Sequence, residues 1–169
     1  MPTSRIVAGS WLPREPILNL VLYVDGSSVP NPGPSGFGLL ALARTATADE
    51  LFGCLKNIGY AGNNQAEFEG LVAACDLVRA AKPRSALIVS DSTVGLRLAT
   101  GKIKAAGAID RRLQWRLTTW LRQAEHVQLC WAPRGRNLAH HLARESVNLR
   151  TGAEVVNALG RKSILRRVA

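Results

Sequence analysis

The stretch Leu18–Arg44, LNLVLYVDGSSVPNPGPSGFGLLALAR, decides how this chain folds. Its first seven residues are β-formers with no polar alternation beyond Asn19, the pattern of a strand buried on both faces and closed by Asp25-Gly26. Residues 27–36, SSVPNPGPSG, are dense in Ser, Pro, Asn and Gly and read as a loop. FGLLALAR (37–44) and LFGCLKNI (51–58) then read as two more strands, and the short polar link TATADE between them fits an antiparallel hairpin.

Downstream the period changes. Gly59–Gly62 is a loop, after which Asn63 or Asn64 can cap a helix running through QAEFEGLVAACDLVRAA to Lys82-Pro83, where proline ends it. SALIVS (85–90) is a short buried strand ending at Asp91, followed by helices over 92–100 and 109–125, a fifth strand over 127–132 and a turn at 133–136. A last helix starts at Asn137. The order βββαβααβα makes the first three strands antiparallel and the later ones parallel by crossover. The expected architecture is α/β: a mixed five-stranded sheet flanked by helices. The expected organisation is an N-terminal extension (1–17), one domain (18–149) and a basic tail (150–169) with room for a short helix.

Composition narrows the function. No apolar run approaches the roughly 20 residues of a membrane helix, and the first 16 residues make a poor signal peptide, so a cytoplasmic protein is expected. Cys54, Cys75 and Cys130 are widely spaced in apolar segments and read as buried thiols in a reducing compartment, not a disulfide framework. The formal charge of +10 is one-sided: residues 1–91 carry 7 basic and 8 acidic side chains, residues 92–169 carry 15 and 4. Seventeen of the 22 basic residues are Arg, which pairs bidentately with phosphate, so a polyanionic partner is expected and nucleic acid before a membrane surface. Trp115 and Trp120 sit among Arg111, Arg112, Arg116 and Arg122. Trp120 shares core spacing with Leu113, Leu117 and Leu121, whereas Trp115 is open between packing and nucleic-acid contact.

Three acids occupy positions that favour apolar residues. Asp25 and Asp91 end strands, where turn formation and helix capping are ordinary alternatives. Glu67 is harder to explain, because Leu71, Cys75 and Val78 follow at helical spacing and place it on the apolar stripe. An ionised carboxylate there is costly unless paired or metal-bound. Convergence of the three would bring like charges together, which a hard divalent cation with oxygen ligands, Mg²⁺ first, would relieve.

YVDGSSVPNPGPSGFG (23–38), NNQAEFEGLVAA (63–74), VSDS (89–92) and WAPRGRNLAHHLA (131–143) resemble, in order, the four signature blocks of the type 1 ribonuclease H family. The resemblance implies the ribonuclease H fold and an endonuclease that hydrolyses the RNA strand of RNA–DNA hybrids with two divalent ions, Mg²⁺ or Mn²⁺, leaving 5′-phosphate and 3′-hydroxyl ends. It maps three acidic metal ligands onto Asp25, Glu67 and Asp91. The fourth falls on His140, with His141 as its neighbour. Imidazole would suit Mn²⁺ better than Mg²⁺, while a helix-surface histidine pair without a role is the plain alternative.

The resemblance also implies contacts to nucleic acid. Asn63 and Asn64 match positions that read the 2′-hydroxyl in the minor groove, Ser27 a backbone-contacting position, and Asn137 a position near the phosphate of the DNA strand. The family's mobile loop before the last helix is missing, which leaves Arg134 or Arg136 either to meet the scissile phosphate or to stay solvated in the turn. The inserted basic protrusion is also missing, with Lys102 and Lys104 left to grip the DNA strand. A monomer is expected. A catalytically weak binding module of the same fold and a retroelement-type domain are the alternative functions.

Overall fold

In a computed structural model of the protein, which describes residue 13 and residues 15–158, six strands form one sheet in the order β5-β4-β1-β2-β3-β6. The strands are β1 (Asn19–Ser28), β2 (Gly33–Arg44), β3 (Asp49–Ala61), β4 (Ser85–Ser90), β5 (Val127–Trp131) and β6 (Glu154–Ala158). The helices are α1 (Asn63–Ala81), α2 (Thr93–Ala99), α3 (Arg111–Gln123) and α4 (His140–Ser146). β1, β2 and β3 are antiparallel, and β4 and β5 extend the sheet in parallel from β1. β6 adds to the free edge of β3 in antiparallel register.

Leu20, Leu22 and Val24 of β1 face Ala43, Ala41 and Leu39 of β2, and all six are buried with Phe68, Leu71, Leu77 and Val78 of α1. Each of the Leu, Val and Phe side chains contributes about 1.5–3 kcal/mol relative to exposure, which makes this layer the main support of the fold. α1 ends where Lys82 adopts a left-handed conformation (φ 47°) and its N–H donates to the Val78 carbonyl, directly before Pro83.

Five expectations change, the simplest being that Cys130, read as a buried thiol, is exposed on β5 while Cys54 and Cys75 are buried. β1 runs on through Asp25 to Ser28 and β2 begins at Gly33, so the expected loop over 27–36 shrinks to four residues. The glycines on either side of that segment serve close approach. A Cβ at Gly26 would fall 2.7 Å from the Cα of Glu67, and one at Gly38 would fall 2.5 Å from the Leu142 Cβ, so α1 and α4 reach the sheet only because these residues are glycine. Gly62, not Asn63 or Asn64, is the cap position of α1, and the side chain of Asn31 accepts the Asn63 N–H at 3.0 Å.

The last helix starts at His140, because Asn137 is held extended (ψ 103°) after a single 3₁₀ turn at Arg134–Arg136. Finally, the sheet has a sixth strand where the basic tail was expected. Val155 and Val156 pair with Leu55 and Cys54, and Lys56 meets Glu154 at 3.6 Å. The remainder of that tail and the bulk of the N-terminal extension lie outside the described residues.

Candidate active site

β1 and β4 are parallel neighbours with Val24 in register with Ser90, so the next residue on each, Asp25 and Asp91, emerges at the same end of the sheet. The side of β1 that carries Asp25 also carries Ser27, and the partner of Asp25 on β2 is Gly38, over which α4 packs. α1 crosses the opposite side at Gly26 and brings Glu67 to the same end. One oxygen from each of Asp25, Glu67 and Asp91 lies within 4.8 Å of the others.

This cluster is electrostatically incomplete. Burial pushes the Glu67 carboxyl up to about 9, and repulsion from Asp25 and then Asp91 adds to the rise, while a main-chain hydrogen bond from Gly26 opposes it. Asp25 is also raised, first by burial and then, after the opposing His140 hydrogen bond, by Asp91. Asp25 Oδ1 and Glu67 Oε2 are sealed from solvent without a hydrogen-bond partner. Three converging hard oxygen donors, two of them with an orphaned atom, are the donor set that a divalent cation completes. The residues present therefore fit such an ion.

Neighbouring side chains fix the cluster. His140, the first residue of α4, places Nδ1 2.7 Å from Asp25 Oδ2, while His141 is exposed. Of the two candidate histidines, His140 is thus the one that faces the site, and it meets the cluster through Asp25. Asn137 is 4% exposed and turned inward: its amide donates to the Val24 carbonyl (2.8 Å) and to Asp91 Oδ1 (2.9 Å), and its oxygen accepts from the Ala139 N–H. In this structure it ties the end of β1 to Asp91 and has no donor left for the DNA-strand phosphate it was expected to meet. Arg134 Nε stands 3.8 Å from Asp91 Oδ2, and its positive charge lowers the pKa values of both Asp25 and Glu67.

The other expected contacts are spread around this end and one flank. Ser27 is half-buried two residues beyond Asp25, Asn63 and Asn64 form the first turn of α1, and Arg136 is exposed beside Arg134. Lys102 and Lys104 are exposed in the turn after α2. Trp131 was not singled out in the sequence, yet its indole N–H donates to the Asp91 carbonyl at 3.1 Å. Only its position at the end of the fifth strand, level with Ser90 and so beside Asp91, could have signalled this.

Comparison with known proteins agrees with the geometry. Residues 18–134 match the RNase H family profile. The chain belongs to the RNase H family. Among relatives of this RNase H chain, the bifunctional protein Rv2228c of Mycobacterium tuberculosis is 30% identical over 133 residues. That match covers 78% of the present chain and 36% of Rv2228c, so the chain spans about a third of that relative's length. The solved N-terminal RNase H domain of Rv2228c superposes with a TM-score of 0.63 at 28% identity, covering 78% of this chain and 94% of that one. RNase H1 of the halophilic archaeon Halobacterium salinarum gives 0.61 at 27% identity, covering 77% and 98%. LC11-RNase H1, solved in complex with an RNA/DNA hybrid, shares the fold with a TM-score of 0.58 at 22% identity, covering 76% and 96%.

Proposed function

We propose that this RNase H chain hydrolyses the RNA strand of RNA–DNA hybrids. The observation that carries this reading is the cluster of Asp25, Glu67 and Asp91 with its two orphaned buried oxygens. These three carboxylates would hold two divalent ions, Mg²⁺ or Mn²⁺. When bound, such ions supply an activated water and stabilise the departing 3′-oxygen.

The chain's own residues do the rest. His140 orients Asp25 through its Nδ1 contact, at the position where the resemblance places a fourth ligand. Asn137 and Trp131 hold Asp91 in place, and Arg134 offers positive charge to the phosphate undergoing attack. Asn63 and Asn64, freed from capping by Asn31, present side-chain amides that can read a 2′-hydroxyl. Ser27 and Arg136 flank the same strand, and Lys102 and Lys104 hold the DNA strand. The P–O3′ bond breaks, the 5′ fragment keeps a 3′-hydroxyl and the 3′ fragment keeps a 5′-phosphate. A cytoplasmic monomer is the state this reading assumes.

The deciding experiment incubates the full chain with end-labelled hybrid, RNA duplex and DNA duplex in Mg²⁺, Mn²⁺ and EDTA. The expected result is cleavage of the RNA strand of the hybrid alone, abolished by EDTA and by Asp91→Asn with the fold retained. Salt-sensitive binding without cleavage in either metal would overturn hydrolysis in favour of a binding module.

A further inference from the structure

Four large hydrophobic residues are markedly exposed among the described residues, and one of them, Trp115 at 69%, stands on a helix of unusual charge. The outer face of α3 presents Arg111, Arg112, Trp115, Arg116 and Arg122, all exposed, at the spacing of one helical stripe. No acidic residue interrupts it. Asp110 precedes the helix and is engaged in capping the Arg112 and Leu113 N–H groups, and Glu125 lies past its end. The opposite face of α3 is committed to the core through Leu113, Leu117, Trp120 and Leu121, so core packing does not explain Trp115.

Topology orients this stripe. β5 ends beside Asp91, so the connection from α3 into β5 lies at the opposite end of the sheet. α3 therefore runs toward that far end, with Arg111 and Arg112 on the side of the carboxylate cluster and Arg122 remote from it. Thirteen residues span about 20 Å, the length of roughly six base pairs at 3.4 Å each. Gln114, next to Trp115, bonds the Ile103 carbonyl and the Ala105 N–H, which fixes the turn bearing Lys102 and Lys104 alongside the stripe.

We propose that the outer face of α3 is a second nucleic-acid contact, on which the four arginines hold the phosphate backbone of the hybrid duplex beyond the carboxylate cluster and the Trp115 indole packs on a sugar or base. The proposal rests on the hybrid being the substrate. Uninterrupted positive charge supplies the affinity, and an exposed aromatic ring among arginines is a platform that any base or sugar can use. An anionic membrane is the less fitting polyanion, because insertion needs an apolar face and that of α3 is buried in the core.

The test uses the full chain carrying Asp91→Asn, so that bound hybrid stays uncut, with hybrids of about 20 and about 6 base pairs, the second too short to span both the cluster and α3, whose length it equals. Trp115→Ala should weaken binding of the long hybrid by about 5- to 50-fold and leave the short one within twofold. Trp115→Phe should recover most of the loss. The double variant Arg112→Gln/Arg116→Gln should lower the slope of log affinity against log salt by about two. In the otherwise unmodified enzyme the same changes should raise KM for long hybrid and leave kcat unchanged. Equal losses on both hybrids, affinities unchanged within twofold, or a loss seen on phosphatidylserine vesicles and not on hybrid would each overturn the proposal. Failure of the unmodified chain to cut hybrid would refute hydrolysis, while the binding slopes would still judge the α3 face.

Discussion

Glu67→Gln should make the metal-free protein more stable, by an amount that grows with pH. The folded state holds the Glu67 proton far more tightly than the unfolded chain does, with a pKa of about 9 against an ordinary 4.5. A carboxyl raised in this way contributes stability that is complete below pH 4.5 and is lost as pH rises through 9. Each unit of pH in that window costs 1.36 kcal/mol, so at pH 7 the ionisable Glu67 destabilises the fold by up to about 3 kcal/mol. The side chain as a whole is half-buried, which sets that figure as the upper end. Glutamine removes the charge, keeps the shape and can donate to Asp25 or Asp91, and retaining a buried amide costs about 1 kcal/mol or more. The net gain at pH 7 is at most about 2 kcal/mol, or up to roughly 8 °C in Tm for a domain of this size.

The assay is thermal unfolding of both proteins in EDTA from pH 5 to 8, following far-UV circular dichroism. The stability gap should widen toward high pH by as much as 1.4 kcal/mol per unit. Adding Mg²⁺ or Mn²⁺ should close it, since a cation at one hundred times its Kd stabilises the native acidic site by about 2.7 kcal/mol. A gap independent of pH, or a variant less stable than the parent throughout, would refute the claim that the Glu67 carboxylate stands uncompensated in the folded chain.

Three further perturbations probe the parts around the cluster. His140→Ala should lower hybrid cleavage by about 10- to 100-fold, and full activity in both Mg²⁺ and Mn²⁺ would remove His140 from the site. Gly38→Ala places a Cβ 2.5 Å from the Ala143 amide nitrogen, so α4 must shift; unfolding should show a loss of about 1–3 kcal/mol, with activity falling as His140 leaves Asp25. Asn137→Ala strands the Val24 carbonyl and frees Asp91, and denaturant titration should register a loss of about 1–3 kcal/mol. An Asn137→Ala protein with unchanged midpoint would show that water replaces the amide.

The sequence made the acids legible and hid what holds them. Glu67 stood out because a charge on an apolar helical stripe conflicts with its surroundings, and such conflicts mark functional positions. Asp25 was legible as an acid and misplaced in its element, since Asp-Gly between a hydrophobic run and a Pro/Gly-rich segment has the local chemistry of a turn. The non-local demand of α1 for a glycine beneath it outweighs that chemistry. Asn137 turns inward to Asp91 instead of toward a phosphate, and Asn31 takes the capping role expected of Asn63 or Asn64, from 32 residues away. Neither partnership has any signature in local spacing. His140 and His141 are adjacent on one helix turn, and only the seating of α4 over Gly38 decides between them.

β6 escaped notice because five residues in a basic segment carry too little periodicity to be read, yet its position bears on the site. Asn57 of β3 is 2% exposed and donates through its side chain to the Ser146 and Val147 carbonyls, where α4 ends. The main chain of the same residue bonds the Ala153 carbonyl and the Gly152 N–H, immediately before β6. One asparagine thus fastens the exit of α4 and the entry of β6 to the same point of the sheet. α4 has only seven residues, too few to hold its position by its own hydrogen bonds. Its seat at Gly38 and this clamp at its far end therefore fix its axis, and with it the approach of His140 to Asp25. The added strand is part of what keeps the imidazole at the carboxylates, although it lies at the far edge of the sheet from Asp91.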